Sequence, residues 1–482
     1  MKVLSTRRIT NDRHHNAFTG ASWFKGDLYV GYRQGDVHWE HDSGRVIVQR
    51  SRDAGVTWDT VAVLRGHFDT RDAHLYTDGC RLYCTCYVDP TGDLPVVSGC
   101  AVTEDGDHWT PFEPYEGTYN FSLWRPVWHR GKHYCAGCQY TPGYGVYWFE
   151  SEDGHNWVNV RPINDSEEDQ ANECYLEILP DGTATMLMRC ESGLKKPKLC
   201  RSQYPFEKWD MQQLDVRITG PAVWTVDGQV YISGRWDPVD IRIHAQEDHA
   251  AHTGIFRVID GECFLICVLP TGPHPDNSYM GVARRADNSH RFSLSFYSNA
   301  IANEDPKIDQ WIKPDIYVAD VLFGADFIDE MLVSDLVEAD RGLEEAAEPD
   351  PDSGALKFRP VRIPEDGTPH TPGHNFIDAG NVIGGRGGLI YFVKDVEVGP
   401  WDLVDIHLGY DGPVRVWWNG QEVFEGPGTS PAVQDATSLR LVSKHGTNRL
   451  TVALDTSNGA ARGIYARWER TWETQLSRGA TI

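Results

Sequence analysis

Five arginines stand out in this sequence because they belong to a strongly acidic chain. The 482 residues include 70 acidic and 45 basic side chains, for a formal net charge of −25. A guanidinium binds a carboxylate through a planar fork of two hydrogen bonds. Because the chain as a whole would repel an anion, an anionic ligand can bind only where arginines are clustered. The candidates for that cluster are Arg33, Arg71, Arg125, Arg189 and Arg235.

Composition excludes several other partners. The net charge would repel a phosphate backbone, so we expect no nucleic-acid partner. No window approaches the roughly 20 consecutive apolar residues of a membrane span. The N-terminal segment MKVLSTRRITNDRHH has no apolar core of a secretory signal, which favours a cytoplasmic location. The 19 histidines show no HxxxH or HxH spacing with a third ligand, so we predict no metal and no cofactor; the oligomeric state stays open.

The elements that must position the arginines are indicated by a repeated turn. Its first copy spells S-x-D-x-G-x-T-W, and the tryptophans that end the successive copies are 51, 48 and 52 residues apart. The copies are Ser51–Trp58, Thr103–Trp109, Ser151–Trp157 and a degraded Ser202–Trp209. In such a turn the Asp carboxylate binds local backbone amides and the Trp packs between strands. We therefore predict a structural role for these turns and place no catalysis on them.

Between the turns lie short β-runs broken by Gly and Asp, which predict an all-β fold. A repeat of about fifty residues with several strands matches one blade of a β-propeller, and six blades fit residues 1–340. We expect the residue ahead of each main hairpin to lie where an inner strand begins and side chains converge. These residues, spaced by 56, 54, 48, 47 and 59 positions, are His15, Arg71, Arg125, Glu173, Gly220 and Tyr279.

A second domain is indicated by a change of composition after Arg341. Residues 341–369 are acidic and rich in Pro, as in a linker. Residues 370–482 contain alternating runs that predict a β-sandwich, jelly-roll-like in class. Trp417 and Trp418 in one of its strands could stack on sugar rings, although buried core is the commoner place for a strand Trp.

The turns on a sixfold repeat resemble the Asp-boxes of the sialidase superfamily, over roughly residues 10–335. The segment NECYLEILPDGTATMLMR carries a more specific resemblance, because in sialidases a Glu that partners the nucleophilic Tyr precedes a carboxylate-binding arginine by this spacing. Here Glu173 and Arg189 are sixteen residues apart. The resemblance further implies that Tyr279, in DNSYMG, is the nucleophile and that Arg235, in SGRWDP, is another arginine of the carboxylate-binding triad.

The sequence also departs from the sialidase pattern. Sialidases open with an Arg-Ile-Pro motif that supplies the first triad arginine, whereas this chain has His15-Asn16-Ala17-Phe18 there. The loop after Arg33 that should supply the acid offers Asp36, His38 and Asp42. This departure indicates a relative whose sugar differs from that of a sialidase.

The residue types fit hydrolysis of an acidic sugar. A phenol has a pKa near ~10 and is a poor nucleophile at neutral pH, but a carboxylate such as Glu173 can take its proton. A neutral phenol suits a reacting carbon that carries a carboxylate, because an anionic nucleophile would be repelled. We therefore expect an exo-glycoside hydrolase that releases a terminal acidic sugar from a glycan or polysaccharide. The substrate-binding candidates are His15, Arg33, Arg71, Asp72, Arg125, Arg189 and Arg235.

Alternatives remain open. Arg71 and Arg125 could equally pair with Asp72 or another inner acid, and Tyr279 could be a core phenol. The chain could also be a polysaccharide lyase that uses His and Tyr as acid and base on uronic acid linkages, or a non-catalytic carbohydrate-binding propeller.

Overall fold

The structure is a computed structural model that describes most of the chain. The described residues are 1–38, 44–89, 95–140, 143–226, 228–236, 251–270, 276–286, 290–299, 313–323, 328, 330–363, 376–398, 403–444 and 446–471. They form two compact units, an N-terminal unit of Val3–Leu322 and a C-terminal unit of Phe323–Ile482 with Met1–Lys2.

The described strands of the N-terminal unit form six four-stranded sheets, and in each of them the first two strands of the blade-like hairpin pair antiparallel. Sheet 1 contains β2 (His15–Phe24), β3 (Asp27–Gly35), β4 (Arg45–Ser51) and β5 (Asp59–Leu64). Sheet 2 contains β6 (Asp69–Thr77), β7 (Leu82–Asp89), β8 (Val97–Thr103) and β9 (Glu113–Pro114). Sheet 3 contains β10 (Ser122–His129), β11 (Lys132–Gln139), β12 (Gly145–Ser151) and β13 (Val158–Asn164).

The remaining three sheets follow the same plan, except that the last takes its outermost strand from the start of the chain. Sheet 4 contains β14 (Ala171–Ile178), β15 (Thr183–Cys190), β16 (Lys198–Gln203) and β17 (Asp210–Gln213). Sheet 5 contains β18 (Ile218–Val226), β19 (Gln229–Trp236), β20 (His252–Ile259) and β21 (Glu262–Leu269). Sheet 6 contains β22 (Ser278–Arg284), β23 (Arg291–Ser298), β24 (Asp315–Leu322) and β1 (Lys2–Arg8). The prediction of an all-β protein is confirmed.

Tight turns set the register of the strand pairs. Lys25–Gly26, Arg130–Gly131 and Asp260–Gly261 each have two successive residues with positive φ, the geometry of a two-residue hairpin turn. Because such a turn fixes which residues face each other, it also fixes which side chains of the two strands it joins share a face.

The first strand of every sheet in the N-terminal unit is bulged. The register with the second strand shifts within β2, β6, β10, β14, β18 and β22. In five of the six the bulge holds a residue with positive φ: Phe18, Asp72, Arg125, Gly220 and Tyr279. A bulge redirects side chains and is common beside functional sites. The positions expected from the sequence therefore coincide with the bulges in four of the six strands; the bulge of β2 lies at Phe18, three residues beyond His15, and that of β6 at Asp72, one residue beyond Arg71.

The repeated turns are held by their aspartates. The Asp53 carboxylate accepts hydrogen bonds from the Thr57 hydroxyl (2.6 Å) and from the backbone N–H groups of Thr57 (2.8 Å) and Val56 (3.0 Å). These bonds, led by that of the Thr57 hydroxyl, hold the pKa of Asp53 well below its usual range. Asp105 and Asp153 accept equivalent bonds.

We expect Asp53→Ala to lower the Tm by a few degrees and to leave turnover unchanged, because it removes the acceptor that orders one surface turn. Asp59→Ala is the matched control: this exposed aspartate lies 3.5 Å from Arg52 in an ion pair that contributes little. Thermal unfolding of both variants checks the expectation, and equal Tm values would contradict it.

The C-terminal unit contains one six-stranded and one four-stranded sheet among its described residues. The six-stranded sheet contains, in order, β26 (Phe358–Arg362), β25 (Glu330–Ser334), β28 (Leu389–Val398), β33 (Gly446–Asp455), β30 (Val414–Trp418) and β31 (Gln421–Gly426). The four-stranded sheet contains β27 (Phe376–Asp378), β34 (Gly463–Thr471), β29 (Leu403–Tyr410) and β32 (Thr437–Val442). Short helical turns occupy Gly342–Glu345, Pro351–Ser353 and Gly380–Ile383.

One apolar core joins these two sheets. It includes Phe392 and Val452 of the larger sheet and Ile406 and Ile464 of the smaller. Trp417 and Trp418 are only 5% and 4% exposed, so they are core residues and present no stacking surface for a sugar.

The boundary between the units lies earlier than the sequence suggested. The prediction ended the first domain near residue 340, whereas the compact units divide after Leu322. The reason is that β25 pairs with β28 of the C-terminal unit. The predicted linker at 341–369 also contains a strand, β26, which pairs with β25 at the edge of that sheet, where Pro360 is tolerated.

Candidate active site

Tyr279, Glu173 and Arg189 form one hydrogen-bonded cluster, although they come from three different strands. The Tyr279 hydroxyl donates to Glu173 Oε1 at 2.8 Å. Arg189 Nη1 donates to Glu173 Oε2 at 2.6 Å and to the Tyr279 hydroxyl oxygen at 3.0 Å. The sixteen-residue spacing arises because the β14–β15 hairpin pairs Asn172 with Arg189, with Glu173 in the adjacent bulge. The catalytic roles of these residues stay a prediction.

Tyr279 keeps its proton in this arrangement. Burial and the neighbouring Glu173 carboxylate raise the pKa of Tyr279, while the charges of Arg189 and Arg235 oppose the rise. The Arg235 guanidinium lies 5.2 Å from the centre of the Tyr279 ring. A neutral phenol therefore donates to Glu173, and that carboxylate is in position to take its proton.

A glycine makes room for the Tyr279 ring. Gly220 in the bulge of β18 has a φ of 56°, and a Cβ built on it would lie 2.5 Å from a carbon of that ring. Any other residue at 220 would be strained and would displace the phenol. The sequence indicated Gly220 only by its spacing and gave it no role.

Asp276 is the centre of a second cluster, three residues ahead of Tyr279. Its Oδ2 lies 2.8 Å from His15 Nε2 and 2.8 Å from His38 Nδ1. Its Oδ1 accepts from the Tyr297 hydroxyl at 2.7 Å and from Arg235 Nη2 at 3.2 Å. Burial alone would raise the pKa of Asp276, but the hydrogen bonds from the two histidines hold it well below its usual range.

His15, His38 and Asp276 form a cluster in the described residues that could hold a metal ion, since their ligand atoms lie within 4.8 Å of one another. The contacts of His15 do not fit that role. Arg33 Nη1 lies 3.3 Å from His15 Nδ1, and because a guanidinium can only donate, Nδ1 is the acceptor. The proton of this neutral imidazole is then on Nε2, the atom a metal would need. We derive no metal chemistry from the cluster.

Arg33 and Arg71 position a loop, and they share the carboxylate of Asp69. Arg33 is fully buried and donates to both oxygens of Asp69, at 2.8 and 3.0 Å. It also donates to the carbonyl of Val37 at 3.0 Å. Arg71 donates to Asp69 at 2.9 Å and to the carbonyl of His38 at 3.0 Å. The two arginines thus fix the backbone that carries His38.

Arg125 forms no ion pair with an inner acid among the described residues, in contrast to one alternative from the sequence. Its guanidinium lies 4.5 Å from the centre of the Tyr175 ring and donates to the carbonyl of Thr19 at 3.0 Å. Burial lowers its pKa. Asp72 is 3% exposed, and burial raises the pKa of its carboxyl to about 7, against the opposing charge of Arg71.

This raised pKa predicts a pH-dependent stability. A carboxyl that holds its proton more tightly when folded stabilises the fold below its unfolded pKa and loses that effect as pH rises through the folded value. We therefore expect the free energy of unfolding of the wild type, relative to Asp72→Asn, to fall by about 3 kcal/mol between pH 5 and 8. Denaturant unfolding of both proteins across this range measures the difference. A difference that does not change with pH would show that Asp72 is ionised throughout.

The three acid candidates have different surroundings. Asp36 has a side chain that is 77% exposed and pairs with His14 at 3.3 Å. His38 contacts Asp276 and lies edge-on to Phe18, whose ring centre is 5.0 Å from that of Tyr279. Asp42 lies outside the described residues.

Sequence reasoning missed Asp276, Tyr297, Phe18 and Asp69. Asp276 belongs to the DNSYMG segment that indicated Tyr279, so it could have been found there. Tyr297 comes from the next strand and no spacing pointed to it. Asp69 precedes Arg71 by two residues, on the same face of β6.

Comparison with known proteins supports the fold. Neither a family model nor a curated protein matches the chain. Among solved structures, a Dyadobacter fermentans protein of unknown function matches with a TM-score of 0.54 and 15% identity, over 66% of this chain and 98% of that one. The endosialidase of phage phi92 matches with a TM-score of 0.52 and 11% identity, over 75% and 73%. An α-L-arabinofuranosidase from Fusarium graminearum matches with a TM-score of 0.50 and 11% identity, over 67% and 99%.

The matches with TM-scores of 0.50 or more support a β-propeller fold. At these identities the likeness concerns the fold alone. None of the described helices is long and apolar enough to span a bilayer.

Proposed function

We propose that the six sheets of the N-terminal unit are the blades of a six-bladed propeller with Asp-box turns. The C-terminal unit is then a β-sandwich. Support comes from the bulge that repeats in all six first strands and from the single core shared by the two C-terminal sheets. In this arrangement the bulges collect their side chains at one end of the propeller axis.

We further propose that the chain is an exo-glycoside hydrolase that releases a terminal sugar bearing a carboxylate. The hydrogen bond between the Tyr279 hydroxyl and Glu173, bridged by Arg189, carries this proposal. The Tyr279 oxygen attacks the anomeric carbon while Glu173 takes the phenol proton, and the bond from that carbon to the leaving oxygen breaks. Water then attacks the anomeric carbon and gives its proton to the residue that had protonated the leaving oxygen, while the phenol is released and regains its proton from Glu173.

His38 is our choice for the acid that protonates the leaving oxygen. Its Nδ1 lies 2.8 Å from Oδ2 of Asp276, and this carboxylate orients the imidazole. Asp276 is therefore a positioning residue for His38, in the way that a carboxylate orients a catalytic histidine in a hydrolase triad.

Two arginines favour an acidic sugar. Arg189 and Arg235 flank the Tyr279 phenol, and their side chains are 17% and 21% exposed. Desolvated guanidinium groups on both sides of the nucleophile provide a fork for a carboxylate on the reacting carbon. Where a sialidase has the first arginine of its triad, this chain has His15 and Phe18. Two arginines, Arg189 and Arg235, therefore hold the substrate carboxylate.

The cluster of His38, Asp276 and Tyr279 also supports a lyase as second candidate. A histidine oriented by a carboxylate could abstract the proton next to a uronic acid carboxyl group, and a phenol could protonate the leaving oxygen. Arg235 would neutralise the carboxylate in that reaction.

The test is a panel of aryl glycosides of a sialic acid, a deoxyoctulosonic acid and hexuronic acids, with a neutral arabinofuranoside beside them. Release of the aryl group from an acidic glycoside supports the hydrolase. A new ultraviolet band of an unsaturated uronate, with acidic polysaccharide as substrate, supports the lyase. Release from the neutral glycoside alone would contradict the acidic-sugar proposal.

A further inference from the structure

The guanidinium of Arg189 has one nitrogen that a ligand could use. Its Nη1 donates to Glu173 Oε2 at 2.6 Å and to the Tyr279 hydroxyl oxygen at 3.0 Å, which uses both hydrogens of that nitrogen. Its Nε is buried and has no hydrogen-bond partner among the described residues, so a ligand cannot reach it. A contact between Arg189 and a substrate carboxylate therefore depends on Nη2.

A carboxylate of the protein already holds that nitrogen. Arg189 Nη2 forms an ion pair with Glu191 Oε1. Glu191 directly follows β15, and its backbone N–H donates to the carbonyls of Asp169 at 3.1 Å and Gln170 at 3.4 Å, so its main chain is held in place. Its side chain is 28% exposed, against 12% for that of Glu173. The Glu191 carboxylate can therefore turn into water while its backbone stays fixed.

The charges around Arg189 disfavour a third carboxylate. Glu173 and Glu191 both face its guanidinium, one on each Nη. A substrate carboxylate on Nη2 would repel the carboxylate of Glu191 at short range, where salt screens the repulsion little. Glu173 is held by the hydrogen bond from the Tyr279 hydroxyl. Glu191 is therefore the carboxylate that can leave.

The second arginine of the site has a nitrogen without such a competitor. Arg235 donates through Nε to the carbonyl of Asn277 at 3.1 Å. Its Nη2 donates to Asp276 at 3.2 Å and to the Tyr297 hydroxyl at 2.8 Å. Within the described part of the chain, these contacts use two of its three nitrogens and leave Nη1 for a ligand. An acidic sugar can therefore contact Arg235 while Glu191 still holds Arg189.

We propose that Glu191 occupies the position of the substrate carboxylate on Arg189 and is displaced when an acidic sugar binds. This inference rests on the function proposed for the site. Glu191 is then a residue that determines specificity, because a ligand with a carboxylate can replace it on the guanidinium and a neutral sugar cannot. While the site is empty, the same ion pair keeps Arg189 in place beside Glu173.

The experiment measures the Kd of D-glucuronic acid, N-acetylneuraminic acid and D-glucose for the full chain by isothermal titration calorimetry. Glu191→Gln keeps the size of the side chain and removes the charge that competes with the ligand. Glu168→Gln is the matched control, because it removes the same charge from an exposed residue beside Asp169, on the loop that holds the Glu191 backbone. Arg189→Lys lacks the planar fork and tests whether the ligand reaches this residue.

We expect Glu191→Gln to lower the Kd of at least one acidic sugar about fivefold, with little change in Glu168→Gln or for D-glucose. An acidic sugar that binds Glu191→Gln no more tightly than the wild type would overturn the inference. If Arg189→Lys still weakens that sugar, the proposed function stands and Glu191 only positions Arg189. An equal gain in Glu168→Gln would also overturn the inference, since net charge would then explain it. Acidic sugars that bind no better than D-glucose to any of these proteins would overturn the proposed function as well.

Discussion

A Tyr279→Phe protein is expected to fold with its stability little changed and to lose at least about 10³-fold in kcat/KM. The change removes one oxygen, so the ring still packs against Phe18 and Trp124. What disappears is the atom that would bond to the anomeric carbon. Initial rates on the best aryl glycoside, with thermal unfolding of both proteins, measure the effect.

Tyr297→Phe is the matched control for this result. Its ring centre is 6.1 Å from that of Tyr279, and its hydroxyl donates to Asp276 and accepts from Arg235 at 2.8 Å. Losing that hydroxyl disturbs positioning alone, and we expect a loss of about tenfold. Equal losses in the two variants would show that Tyr279 is not the nucleophile.

Replacement of Arg189 by alanine is expected to lower kcat/KM by about 10²- to 10³-fold. The variant removes one arm of the carboxylate fork and the donor to both Glu173 and the Tyr279 hydroxyl. Because Glu173 and Glu191 then lose their shared cation, the Tm should also fall, and rates are to be measured well below it.

Two further variants make this result specific to the site. Arg291→Ala removes an arginine that donates to Asp320 at 2.9 Å, and its cost should be confined to stability. Arg189→Lys keeps the charge without the fork and should recover part of the activity. Full activity in a folded Arg189→Ala protein would exclude a carboxylate contact at this residue.

Much of the fold could be predicted because its signals are local. The turn aspartates bind amides two to four residues away, and strand runs alternate with hairpin turns, so both can be predicted from short windows. The domain boundary could not be read in this way. Whether β25 joins the sheet before it or the one after it depends on a long-range pairing with β28.

In the candidate site, too, local features could be predicted from the sequence and long-range contacts could not. The spacing of Glu173 and Arg189 is the length of one hairpin, and it survives as a sequence signal. The function of Arg33 could not be predicted from the sequence. An arginine that binds a substrate carboxylate and an arginine that binds Asp69 give the same sequence pattern. Nor could the sequence show that His15 and His38 share the Asp276 carboxylate, because that contact spans 261 and 238 residues.

The pairing of the chain's first strand into sheet 6 has a consequence for folding kinetics. The Thr10 hydroxyl donates to Asp315 at 3.0 Å across 305 positions, and Arg8 pairs with the same carboxylate at 2.7 Å. The sequence separation of this contact is nearly the largest that the N-terminal unit allows, so the contact raises the contact order of the unit. Sheet 6 therefore cannot be completed until Leu322 has left the ribosome, and β1 must wait unpaired through the synthesis of five other sheets. Once formed, the same contact ties both ends of the unit into one sheet, so fraying from either terminus requires the other to open as well.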